Sequence, residues 1–133
     1  MDRQLLNITE DSFLDGKLSL LQPVKGFRAG LDSVLLAASV NAKSGEKVLE
    51  IGTGVGTVLF CLMNRISGLE ATGIEIMEEY HSLSLINAKK NKINANLILG
   101  DFLTYKNIKK EIFDQIFFNP PYYPVSNYKI SDN

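Results

Sequence analysis

The sequence predicts an α/β fold built on a parallel sheet, and three observations point to it. From Lys47 to Phe118, strand-like runs alternate with helical ones across short links, a pattern that requires right-handed crossovers and therefore parallel strands. The first of these strands ends in a glycine-rich turn, Gly52-Thr53-Gly54-Val55-Gly56, which opens a helix; ligands bind at this place in open parallel sheets. Ahead of the alternation, Phe13-Leu14-Asp15-Gly16-Lys17-Leu18 sets an Asp-Gly pair between apolar residues, the composition of a tight hairpin turn.

Taken in chain order, residues 12–21 form a small β-hairpin, and Gly26-Phe27-Arg28-Ala29-Gly30 is a loop. Asp32 then serves as N-cap for an apolar helix through Val34, Leu35, Leu36 and Ala37. Lys47 to Ile51 is the first parallel strand. A helix from about Val55 to Ile66 repeats Val55, Val58, Leu59, Leu62, Met63 and Ile66 at helical spacing, with Cys61 in the same buried run. Ala71 to Glu75 is the second strand. The helix after it carries Glu78 and Glu79 near its start and Lys89, Lys90 and Lys92 near its end, matching the macrodipole. A third strand spans Asn96 to Leu99, and a fourth, Phe113 to Phe118, follows a polar stretch of helical character.

The bulk numbers exclude several classes. A chain of 133 residues with 45% hydrophobic and 22% charged residues has an ordinary globular composition with room for its own core. A formal net charge of -1 advertises no strongly basic face. One cysteine and one histidine, Cys61 and His81, give neither an internal disulfide nor a zinc cluster. The N-terminus lacks the unbroken apolar core of a secretory signal, and no run is long enough to span a bilayer. The expected setting is cytoplasmic. His81, beside Glu79 and Tyr80, is expected on a solvated helix face with no role, as are Lys106, Lys109 and Lys110.

The candidate site gathers at the strand ends. Its spacing is Gly-x-Gly-x-Gly with Glu50 two residues ahead, not the Gly-x-Gly-x-x-Gly whose helix start cradles a pyrophosphate. S-adenosylmethionine carries no phosphate but a positive sulfonium and ammonium, so an acid at Glu50 is favourable there. Glu75, ending the second strand, is placed to accept hydrogen bonds from both ribose hydroxyls. Asp101, after the third strand, suits the adenine amine, and Phe102 its ring. Gly52, Thr53, Gly54, Gly56 and Ile76 complete this expected pocket.

Directly after the fourth strand comes Asn119-Pro120-Pro121-Tyr122. Two prolines stiffen the loop and leave the Pro120 carbonyl free as an acceptor. An aromatic amine is a poor nucleophile because its lone pair is delocalised into the ring. Acceptors on Asn119 and Pro120, each taking one N–H, direct that lone pair at a sulfonium methyl, while Tyr122 stacks on the substrate plane. These residues form the expected catalytic set, for in-line methyl transfer to a planar amino nitrogen without a metal.

With these residues in place, the chain resembles the bacterial methyltransferases that modify adenine N6 beside the anticodon of valine tRNA. The likeness runs through Thr9 to Leu18, Gln22-Pro23, Gly26-Phe27-Arg28, Leu31 to Ala37, Leu49 to Gly54, Gly73 to Ile76, Ala88 to Asn94 and the Asn119 to Tyr122 motif. It implies a Rossmann-like class I methyltransferase sheet in the order 3-2-1-4 with helices on both faces. It further implies that Arg28, Gly30 and Asp32 belong to a loop closing over the cofactor, and that tRNA is the partner. Residues 1–30 are then the hairpin and covering loop, and 31–133 a partial cofactor-binding domain. The later strands of that family sheet are absent, which leaves strand four as an apolar edge prone to self-association. The Asn-Pro-Pro-Tyr motif also serves guanine-N2 and protein-glutamine methylation. Two readings of other classes stand beside the enzyme: a cofactor-binding fragment without turnover, and a nicotinamide-binding module.

Overall fold

The computed structural model describes residues 7–25 and 29–118. The first element is an antiparallel hairpin of β1, Ile8–Phe13, and β2, Leu18–Pro23, with Phe13 paired to Leu18. Leu14, Asp15 and Gly16 all take positive φ in the four-residue turn, a left-handed path that Asp and Gly tolerate and leucine seldom adopts. β2 alternates through Gln22: Leu18, Leu20 and Gln22 are buried, as is Pro23 at the strand's end.

Helix α1, Leu31–Ser39, packs on α2, Thr57–Arg65. Its N-cap is Gly30, not Asp32, and no side chain bonds the cap. Asp32 lies inside the first turn, where its charge favours the helix dipole without capping it. The second helix likewise begins two residues later than its apolar spacing suggests, because Val55 and Gly56 are spent on the turn before it.

The parallel sheet consists of β3, Lys47–Ile51, β4, Glu70–Glu75, β5, Asn96–Leu99, and β6, Gln115–Phe118. Its order is β5-β4-β3-β6, the expected 3-2-1-4. Helix α3, Glu78–Lys90, connects β4 to β5. All three α-helices and the hairpin share one sheet face, where Leu20, Val48, Val58, Leu59, Ala71 and Ala88 belong to one core. Among the described residues, helical cover of the second face reduces to a single 3-10 turn, Ile108–Lys110; Ile108, Phe102, Tyr105 and Phe113 lie over Leu49 and Ile74. That cover stops short of β6. Ile116 and Phe118 are 57% and 61% exposed, whereas Phe117 is buried against the helical side. The apolar run at β6 is therefore buried on one face only.

His81 departs from expectation. It is half-buried, and its Nε2 lies 3.0 Å from the Leu97 carbonyl, tying α3 to β5. Helical spacing turns this position inward, toward a strand that the local polar neighbours conceal.

Candidate functional site

The glycine turn leaves β3 and crosses the C-terminal end of the sheet. Gly52 and Thr53 both donate their amides to the Ile74 carbonyl, at 2.8 and 3.1 Å, so β4 holds the start of the loop. Gly56 N–H closes back on the Thr53 carbonyl at 3.0 Å. Gly52 and Gly54 have φ of 74° and 59°, and a Cβ at either would meet no atom within 4 Å. The loop thus presents bare backbone to open space, a cradle that side chains would fill.

Glu75 is the acid at the centre of this arrangement. Its Oε1 accepts the Gly54 amide at 2.8 Å and its Oε2 the Met77 amide at 2.9 Å. Each oxygen has a further lone pair, so two hydroxyls can be accepted beside the two amides. The role in organising the loop is additional to the ligand role read from the sequence. Asp101 adjoins through the backbone, since Gly100 N–H donates to the Glu75 carbonyl at 2.9 Å. Its own Oδ1 accepts Leu103 N–H at 2.9 Å, and its carbonyl accepts the Thr104 and Tyr105 amides, which folds 101–105 into a compact turn. Phe102 leans half-buried on the second sheet face, while Ile76 is 64% exposed at the rim.

Glu50 occupies a different place from the one expected. It is 1% exposed, beneath the loop, where Thr53 Oγ1 donates to its Oε1 at 3.3 Å. Burial pushes its carboxyl well above the usual 4.5; hydrogen bonds from Thr53 and from the Leu59 amide in the first turn of α2 only partly offset this, and Glu75 nearby adds to the rise. Glu50 thus lies beneath the loop rather than in the open cradle, and its hydrogen bonds join the turn to the first turn of α2. The same burial, with Glu50 close by, pushes the Cys61 thiol up to about 11, consistent with a core residue.

The structure therefore brings Gly52, Thr53, Gly54, Gly56, Glu75, Ile76, Asp101 and Phe102 to one end of the sheet, with Glu50 below them. Gly30 and Asp32 begin α1, and Ala29 just before them donates to the buried Gln22 Oε1 at 2.8 Å. No hydrogen bond among the described residues links Gly30 or Asp32 to the glycine loop. Arg28 and the whole Asn119, Pro120, Pro121 and Tyr122 motif lie outside the described residues. The last described residue, Phe118, pairs with Ile51, which precedes Gly52.

Two polar groups of the loop region are unpaired. Thr57 Oγ1, in the first turn of α2, is buried without a partner. The Val55 N–H has no partner among the described residues, although every other amide from Gly52 to Gly56 is bonded. A loop with one free donor and an open face fits a bound ligand. By contrast, a cavity of about 340 Å3 between the hairpin turn, α1 and α2 is lined by Leu14, Val34, Cys61 and Arg65 among others, and contains no candidate site residue.

Residues 42–130 match the family model described as a methyltransferase domain. A tRNA1(Val) adenine-N6 methyltransferase of Glaesserella parasuis is 29% identical over 98 residues, covering 72% of this chain and 41% of the relative. A putative protein N5-glutamine methyltransferase of Methanocaldococcus jannaschii is 33% identical over 95 residues, covering 71% and 46%. The chain thus spans less than half the length of these curated relatives. Among solved structures, a T. thermophilus 16S rRNA N2 methyltransferase in complex with AdoMet and guanosine superposes with a TM-score of 0.69 at 20% identity, covering 90% of this chain and 34% of that one.

Proposed function

The chain belongs to the methyltransferase-domain family, whose methyl donor is S-adenosylmethionine, and from that premise we propose that it serves N-methylation of an exocyclic amino group of a nucleic-acid base, foremost adenine N6 in tRNA. The observation that carries the reading is the open glycine cradle with Glu75 bridging the Gly54 and Met77 amides at its edge. In this reading Gly52 and Gly54 allow close backbone approach, Glu75 takes the ribose hydroxyls, and Asp101 and Phe102 take the adenine. Arg28, Gly30 and Asp32 belong to the covering segment, in line with the resemblance of their motif.

Bound S-adenosylmethionine supplies an electrophilic methyl group on a positive sulfur. The chain's own residues then do the rest. Asn119 and the Pro120 carbonyl hold the two amine protons, Pro121 stiffens the loop, and Tyr122 stacks on the base; the pairing of Phe118 with Ile51, the residue before Gly52, is in keeping with this reading. The tRNA-modifying relative favours tRNA as partner. The glutamine-modifying relative favours a second reading, a protein amide, because that nitrogen is also planar. No helix among the described residues is long and apolar enough to cross a membrane, and the reading includes a cytoplasmic setting. The exposed Ile116 and Phe118 support self-association through β6, measurable by light scattering.

The test is transfer of labelled methyl from S-adenosylmethionine to total tRNA, ribosomal RNA and protein, with Asn119→Ala beside the wild type. Label in tRNA as N6-methyladenine, lowered about 100-fold by Asn119→Ala, is the expected outcome. Label in protein glutamine would establish the second reading. Tight cofactor binding with no label in any fraction would leave the chain a cofactor-binding fragment.

A further inference from the structure

Asn87 on α3 is fully buried and uses its whole side-chain amide. Its Oδ1 accepts Leu21 N–H at 2.7 Å, and its Nδ2 donates to the carbonyls of Leu21 and Val55, each at 3.0 Å. Asn91 repeats the first half of this pattern on Ser19, accepting its N–H at 3.0 Å and donating to its carbonyl at 2.9 Å. Together the two asparagines pair the free edge of β2 as a third strand would. Only Asn87 also reaches the glycine loop.

That reach matters because of which amide in the loop is unpaired. The peptide joining Thr53 to Gly54 is held through its N–H by Glu75. The peptide joining Val55 to Gly56 is held twice, its carbonyl by Asn87 and its N–H by the Thr53 carbonyl. Between them lies the peptide joining Gly54 to Val55, whose N–H has no partner among the described residues. With φ of 59° at Gly54, that peptide has wide rotational freedom unless both neighbours are fixed. Glu75 fixes one neighbour and Asn87 helps fix the other.

We infer that Asn87 is a positioning residue for the cofactor: through the Val55 carbonyl it keeps the free Val55 N–H oriented for a bound ligand, and it joins the hairpin to the same support. The inference rests on the proposed use of the glycine cradle as the cofactor site. Asn91 is the internal control, since it clamps the same strand without touching the loop.

The experiment is calorimetric titration of the full chain with S-adenosylhomocysteine, alongside thermal unfolding, for wild type, Asn87→Ala and Asn91→Ala. Both variants should lower Tm, as each leaves a β2 residue unpaired. Asn87→Ala should weaken binding at least tenfold and Asn91→Ala less than twofold. If Asn87→Ala does not fold, Asn87→Ser is titrated in its place, with hydrogen exchange at the Val55 amide of the unliganded chain as second readout; faster exchange than in Asn91→Ala is expected. Equal weakening by both variants, or unchanged affinity in the Asn87 variant of a wild type that binds, overturns the role of Asn87 alone. A wild type that does not bind S-adenosylhomocysteine overturns the cradle reading and this inference with it.

Discussion

The ends of β3 and β4 each carry a glutamate, side by side in one sheet, and the two have opposite fates. The pairing aligns Glu50 with Gly73 and Ile51 with Ile74, so Glu75 lies beyond the last paired residue of β3. Glu50 therefore sits under the glycine loop, where burial raises its pKa, while Glu75 stands level with the loop and binds it from the side. Two residues along the strands separate an acid buried under the loop from one that bonds the loop's amides. Charge at a strand end acquires meaning only from its height relative to the loop that follows.

The most severe way to break this separation is to break the loop between the acids. Gly56 has φ of 103°, and a Cβ there would run into the ring of the fully buried Phe60. Gly56→Ala should cost about 3 kcal/mol from overpacking and the left-handed backbone together, read by urea denaturation. A loss below about 1 kcal/mol would mean that the loop shifts freely, and that the two acids are not held apart by it.

The pH dependence comes next in size. The folded state keeps a proton on Glu50 that the unfolded chain releases near 4.5. Between pH 4.5 and the raised folded value the folded state therefore binds more protons than the unfolded chain, and stability falls across that window by up to about 1.4 kcal/mol per pH unit. Denaturation curves at pH 5, 6, 7 and 8 measure the slope, and Glu50→Gln should flatten it. A slope that persists in that variant would place the responsible proton elsewhere.

Glu75→Ala tests the other acid. It should weaken S-adenosylmethionine binding more than tenfold, since hydrogen bonds to a charged group contribute roughly 1.5–3 kcal/mol each, whereas Glu50→Gln should change affinity less than twofold. Calorimetry on the two variants side by side gives the sharpest form of the contrast; equal losses would erase it.

Much of this was legible in the residues. The alternation of strands and helices, the glycine turn and the Asp-Gly hairpin are local signals, and the structure realises them at Lys47–Ile51, Gly52 to Gly56 and Leu14 to Lys17. What escaped depends on partners far along the chain. Glu50 looked ligand-facing because strand register is not a local property. His81 looked solvated because Leu97, sixteen residues on, does not announce itself. The clamping of β2 by Asn87 and Asn91 could not be read locally, since their partners precede them by 66 and 72 residues. Asp32 lost the cap to Gly30 by two positions, the scale on which helix ends are ambiguous.

The asparagine pair on α3 works as a molecular vernier. Four residues of helix advance about 6.0 Å and two residues of strand about 6.6 Å, so two teeth mesh with a mismatch of about 0.6 Å, while a third would already be out of step. This limits the contact to one pair of positions and also selects which pair. Sliding β2 by one residue would turn Leu18 and Leu20 out of the core. Sliding it by two toward its C-terminal end would bring Asn87 opposite Pro23, which has no N–H to give. The hairpin's register on the domain is set by its buried leucines, and a proline at the end of its second strand bars one of the nearest alternatives.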